Sequence, residues 1–111
     1  VAPTAVAQFL RKSLNRQAAA MEFALSLLDG VREHRAELDQ VLAAKADNWS
    51  VERMAAVDRN ILRLGAYEIL YTDTPGRVAI NEAVELAKTF GAQPSAPFVN
   101  GILDRVLRER Q

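Results

Sequence analysis

The sequence predicts an all-α fold, a bundle of about five helices. Two observations lead there. Apolar residues recur at three- and four-residue spacing along most of the chain, with no strict period-two run and no hairpin signal. The text is rich in alanine and poor in β-branched runs, which favours helix. With 111 residues, half of them hydrophobic and a quarter charged, residues 1–111 read as a single domain able to bury its own core.

The elements follow in order. Pro3-Thr4 opens a first amphipathic helix over about 5–16, with Thr4 as its N-cap and Asn15 near its end. Val6, Phe9, Leu10 and Leu14 lie on one side and Arg11, Lys12 and Arg16 on the other. A second segment runs over about 18–46. Its stripe is Ala24, Leu28, Val31, Leu38 and Leu42, widened by Phe23, Leu27 and Val41, as burial in a globular core requires. Gly30 inside it marks a close crossing or a break. Asp47-Asn48-Trp49-Ser50 is punctuation, and Asp47, Asn48 or Ser50 caps a third helix over 51–71 with Met54, Val57, Ile61, Leu64 and Glu68 on one stripe. The turn Thr72-Asp73-Thr74-Pro75-Gly76 leads to a fourth helix over 78–90, with Ile80, Ala83, Val84, Ala87 and Phe90 at core spacing and Gly91 as its C′ glycine. Gln93-Pro94 closes the connection. Ser95 caps the last helix, Pro97 sits in its first turn, and Phe98, Val99, Ile102, Leu103, Val106 and Leu107 form its apolar face.

Composition excludes several kinds of chemistry. There is no cysteine, hence no disulfide framework, no thiolate zinc site and no thiol nucleophile. A single histidine, His34, rules out two-histidine metal motifs within one chain. No apolar run approaches the length of a membrane span, and no export signal opens the chain, so cytoplasm is the expectation. Net charge is zero but uneven: residues 1–21 carry +3, residues 22–58 carry −4 and residues 59–111 carry +1. Arginine outnumbers lysine eleven to three, which suits bidentate contacts with phosphate or carboxylate. A neutral domain binds nucleic acid only through a local patch or a helper protein.

Few residues carry a chemical signal of their own. His34, at a stripe edge beside Glu33 and Glu37, reads as a packing or surface residue. Glu82 and Glu85 resemble half of a di-iron site, but no Glu-x-x-His accompanies them, so they read as a solvated acidic face. Trp49 and Tyr71 suit either base stacking or the tethering of a helix junction. No metal, cofactor or catalytic group is indicated, and the expectation is a protein that is not an enzyme.

Three long motifs are more telling. They are Val57 to Leu70, reading VDRNILRLGAYEIL; Val78 to Lys88, reading VAINEAVELAK, followed by Phe90-Gly91 and Ser95; and Phe98 to Asp104, reading FVNGILD. In this order and spacing they resemble the bacterial transcription antitermination factor NusB family, over about Phe23 to Leu107. The resemblance implies an all-α NusB-like bundle that pairs with NusE, a ribosomal small-subunit protein. It also implies binding to boxA RNA of nascent ribosomal transcripts within an RNA polymerase antitermination complex. It implies an RNA surface with Lys88, Phe90, Phe98 and the Gly91–Pro97 loop, including Pro94 and Ser95, and a NusE surface with Glu52 and Asp58. Family members begin with an arginine-rich segment and a first helix. Neither has a counterpart here, and only Arg11, Lys12 and Arg16 supply charge at that end. The expected consequences are a truncated or processed chain, weakened RNA affinity, and an exposed apolar groove open to self-association, including a homodimer, or to residues 5–16. For Phe90 and Phe98 core packing is the blander reading, and Asn81 and Asn100 read as ties between helix ends. Two further readings share the resemblance: the RNA-binding appendage of ribosomal-RNA cytosine methyltransferases, whose catalytic domain is not in the text, and a helical interaction module that has lost RNA binding.

Overall fold

A computed structural model describes residues 3–46 and 50–110, apart from the side chains of residues 3–7, 9, 10, 13, 20 and 23. The described residues form helices and no strand. In chain order these are α1 (Pro3–Ser26), α2 (Leu28–Glu33), α3 (Arg35–Lys45), a 3₁₀ turn (Val51–Arg53), α4 (Ala56–Tyr71), α5 (Gly76–Phe90) and α6 (Ser95–Glu109). The all-α expectation holds, but the divisions differ. The helix expected to end at Asn15 continues to Ser26, because nothing at Asn15 or Arg16 breaks it and Gln17–Ala20 are strong helix formers. The segment expected over 18–46 is interrupted at Leu27 and His34, where new helical turns begin: Val31 N–H reaches Leu27 O and Leu38 N–H reaches His34 O. The expected stripe of Val6, Phe9 and Leu10, with Phe23, lies outside the described side chains, as do the proposed caps Asp47 and Asn48.

α4 is the centre of the fold and touches α2, α3, α5 and α6. Short turns hold α4, α5 and α6 as antiparallel neighbours. Leu62, Ile80, Val99 and Leu103 are fully buried among them, and Leu38 and Leu42 of α3 close the same core. Val57, assigned to the stripe of α4, is instead exposed, because α4 begins only at Ala56 and its first turn projects past the core. α5 starts at Gly76, two residues earlier than expected. Pro75 supplies an extended N-cap whose carbonyl accepts Ala79 N–H at 3.0 Å.

Two glycines are required by proximity. A Cβ on Gly30 would collide with the Tyr67 ring, so the close crossing anticipated from Gly30 is between α2 and α4. Gly91, read from the sequence as the C′ glycine of α5, stands at its C-cap. Its φ of −95° and ψ of −175° are extended, and it is needed because a Cβ would lie 2.6 Å from Ser95 and 2.7 Å from the Ala87 carbonyl oxygen.

Ion pairs tie the ends of the bundle together. Lys45 Nζ holds Glu109 Oε1 at 2.7 Å, and Arg105 donates to the Lys45 carbonyl at 2.7 Å, joining α3 to α6. Arg110 donates to the Ile69 carbonyl at 3.0 Å, satisfying an orphan acceptor at the end of α4. Asp104 takes Arg77 from α5 and Arg108 from its own helix. The hydrogen bond from Arg77 holds the Asp104 carboxyl below the usual carboxylate range.

Candidate nucleic-acid and partner interface

The residues singled out from the sequence fall into two regions. The first surrounds the C-terminal end of α5. Lys88 and Phe90 are exposed there, followed by the loop through Pro94. Phe90 is 40% exposed, so core packing does not account for it. α5 ends with its ring just beyond the last core position, Ala87, and the chain turns away at Gly91. Phe98 behaves differently and packs half-buried against the core.

Ser95 is only 3% exposed, and its hydroxyl is engaged within the loop, where it accepts Ala92 N–H at 3.0 Å. It is the first residue of α6 and not its N-cap, which is Pro94. The serine thus closes the loop from inside and presents Pro94, Gln93 and Ala92 outward. Asn81 and Asn100, expected to tie helix ends, are exposed, and their side chains make no hydrogen bond among the described residues.

α1 approaches this region along α5. Arg16 and Ala19 face Val78, Glu82, Glu85 and Thr89 across a groove of about 570 Å³. Arg16 therefore shares a groove with Thr89, the residue between Lys88 and Phe90. Arg11 and Lys12 stand on the same helix further out, roughly 6–8 Å along its axis from Arg16, and all three are exposed. Among the described side chains of α1, Gln8, Arg11, Lys12 and residues 14–19 are exposed.

Beneath this groove lies a pair of acids. Glu68 of α4 is 3% exposed and faces Glu82 of α5, and each has an Oε2 that finds no partner among the described residues. Burial, with the neighbouring Glu82 carboxyl, pushes the Glu68 carboxyl up to about 7. The pair i,i+3 on α5 is thus not one solvated face: Glu85 is exposed, whereas Glu82 turns toward Glu68. Glu68 read as a stripe position by spacing alone, and its partner was visible only once α4 and α5 were side by side.

The second region is the junction of the 3₁₀ turn with α4. Glu52 is exposed on the turn and Asp58 lies in the first turn of α4, where the helix dipole favours an anion. Asp58 is partly buried and its Oδ1 lacks a donor among the described residues. Beside them, Arg63 is buried and grips Asp39 of α3 with two parallel bonds, Nε to Oδ1 at 2.8 Å and Nη2 to Oδ2 at 3.0 Å.

His34 sits at the bend between α2 and α3. Its ring stacks on Tyr71 at 3.9 Å, and Nδ1 lies 3.4 Å from Glu37 Oε2. Tyr71 is thus a tether at a helix junction. Trp49, its counterpart in the sequence reading, lies outside the described residues. No group of His, Asp and Glu among the described residues could hold a metal ion. No described helix is long and apolar enough to cross a membrane.

The sequence profile of the NusB family matches residues 4–108. The chain belongs to the NusB family. Two curated relatives are each named transcription antitermination protein NusB. That of Elusimicrobium minutum (strain Pei191) is 49% identical over 96 residues, covering 85% of this chain and 69% of the relative. That of Myxococcus xanthus (strain DK1622) is 50% identical over 96 residues, covering 86% and 69%. A solved structure of T. maritima NusB superposes with a TM-score of 0.72 at 42% identity, covering 76% of this chain and 60% of that one. The chain thus spans about three fifths of the T. maritima structure's length. NusB relatives are named for antitermination, which is not an enzymatic activity.

Proposed function

We propose that this chain is a transcription antitermination factor that, together with NusE, binds boxA-type RNA of nascent ribosomal transcripts in the cytoplasm and promotes read-through by RNA polymerase. The observation that carries the reading is NusB family membership, with relatives at about half identity named for antitermination. The surface agrees with it. An exposed aromatic ring, Phe90, stands between Lys88 and the loop of Gly91, Pro94 and Ser95, with Arg16 across the groove. Stacking on an unpaired base plus one or two cations is how single strands are held without a large basic field. Arg11, Lys12 and Arg16 extend the cationic track, and Phe98, half-buried against the core, contributes its exposed edge. Glu52 and Asp58 form the acidic face offered to NusE.

The test is a fluorescence-anisotropy titration of a boxA-like RNA and a scrambled control, with the chain alone and with NusE, at two salt concentrations. Selective binding that appears or tightens with NusE is the expected result. Equal affinity for both RNAs in every mixture overturns the reading. With two or three cationic contacts, the slope of log K against log salt is expected near −1.5 to −2, from about −0.7 per neutralised phosphate. Reversing Asp58 to Lys should weaken NusE binding more than it weakens folding. A parallel loss of both would remove Asp58 from the partner surface.

A further inference from the structure

One cavity is used by neither the RNA surface nor the core. Arg35 and Asp39 of α3, Glu52 of the 3₁₀ turn, and Arg59 and Arg63 of α4 line a notch of about 570 Å³. Its three guanidinium groups are in different states. Arg63 is committed: its fork takes both oxygens of Asp39, and Nη1 donates to Asn60 at 3.2 Å. That arrangement also uses up the charge of Asp39. Arg59 stands one turn earlier on the same face of α4 and is partly buried. Its Nε–H is cut off from water and has no acceptor among the described residues. Arg35, one turn before Asp39 on α3, is exposed and likewise makes no hydrogen bond or ion pair among the described residues.

A guanidinium group cannot relieve this by losing its proton, and a buried N–H without an acceptor is unfavourable. Among the described residues Arg59 Nε thus lacks an acceptor although Glu52 stands at the rim, and the donors of Arg59 and Arg35 match a planar oxyanion with two oxygens. We propose that it receives a carboxylate side chain of a protein partner, held by Arg59 and Arg35.

The surrounding charges favour a protein over an RNA backbone. Glu52 rims the notch, and the neighbouring Asp58 carries a carboxylate oxygen without a donor. A phosphodiester chain brings a negative charge at every nucleotide and would run against both acids. A folded protein surface alternates signs, so it can offer a base to Asp58 or Glu52 beside the acid that enters the notch. The inference rests on the NusE reading and adds to it: the partner presents an Asp or Glu as well as basic residues, and the acidic face is one half of a mixed-charge interface.

The experiment is calorimetric titration of the full chain with NusE, at low and at physiological ionic strength. Wild type is compared with Arg59→Gln, Arg59→Lys, Arg35→Gln and the double variant Arg59→Gln/Arg35→Gln, with boxA RNA binding and melting temperature read in parallel. Arg59→Gln is expected to weaken NusE binding about 10- to 100-fold and Arg35→Gln about threefold, with a flatter salt dependence. Arg59→Lys, which keeps the charge and loses the fork, falls between wild type and Arg59→Gln. Arg35 is exposed, so its variant keeps the test valid should Arg59→Gln melt early. Wild-type affinity in a folded double variant overturns the notch and leaves the NusE reading intact. Loss of RNA binding without loss of NusE binding gives the notch to a phosphate and overturns it too. A wild-type chain that does not bind NusE overturns both.

Discussion

α6 and α1 make opposite use of their apolar residues. In α6, Val99 and Leu103 are wholly buried, because two short turns fix α4, α5 and α6 side by side and each covers its neighbour's stripe. In α1, Leu14 is 63% exposed and Leu25 61% exposed. α1 meets the body of the fold chiefly along α5 and α2, and its 24 residues help to stretch the molecule to 52 Å against 28 and 22 Å in the other directions. An apolar stripe thus shows that a helix has a face to bury. What covers that face depends on the connections that bring other helices to it.

The contrast sets the order of expected effects. Leu103→Ala should be the most damaging, by about 3 kcal/mol, since it empties a fully enclosed site between α4 and α6. Urea unfolding at constant m-value measures it, and a loss below about 1 kcal/mol would mean that α6 is not part of the cooperative core. Asp39→Ala comes next, at about 2 kcal/mol, because it strands the buried Arg63 guanidinium while leaving a partly open notch through which water can reach it. Arg63→Met added to Asp39→Ala should recover much of that loss.

The Glu68 carboxyl offers a smaller and pH-dependent effect. Its pKa is raised in the folded state, so the native form binds the proton that the unfolded form releases. Stability is therefore highest below about pH 4.5 as far as this group is concerned, and falls as pH rises through about 7. Glu68→Gln removes the dependence, and its melting temperature at pH 8 should exceed wild type by roughly 3–5 °C, with little difference near pH 4.5. An unchanged profile would show that Glu68 is not the group titrating. Leu14→Ser should be the least consequential, within about 0.5 kcal/mol in a dilute monomer. If its effect instead grows with protein concentration, the exposed stripe of α1 is being covered by another copy of the chain.

Much of the fold was legible from spacing. The cores of α5 and α6 and the turn at Pro75 follow from residue type and period, whereas Gly30 signalled either a close crossing or a break and the Tyr67 ring decides for the crossing. The boundaries were less legible. The interruptions at Leu27 and His34 fall at residues that are not helix breakers, so the sequence carries no signal for them. The candidate site divided in the same way. Exposed cations such as Lys88 and Arg11 are where a polar position on an amphipathic helix must be. The exposure of Phe90, the inward turn of Ser95 and the uncommitted guanidinium of Arg59 follow from which helix lies alongside, and period alone assigns Phe90 to the wrong surroundings.

The sequence by itself determined that these residues form helices with particular apolar faces, and its three long motifs determined the family, because both are local properties of order and spacing. Tertiary structure decided which faces are covered, since burial depends on neighbours far away in the chain. That is why Glu68 meets Glu82, why Arg63 is paired with Asp39 while Arg59 is not, and why an apolar ring is left exposed at the end of α5, beside a groove of mixed charge.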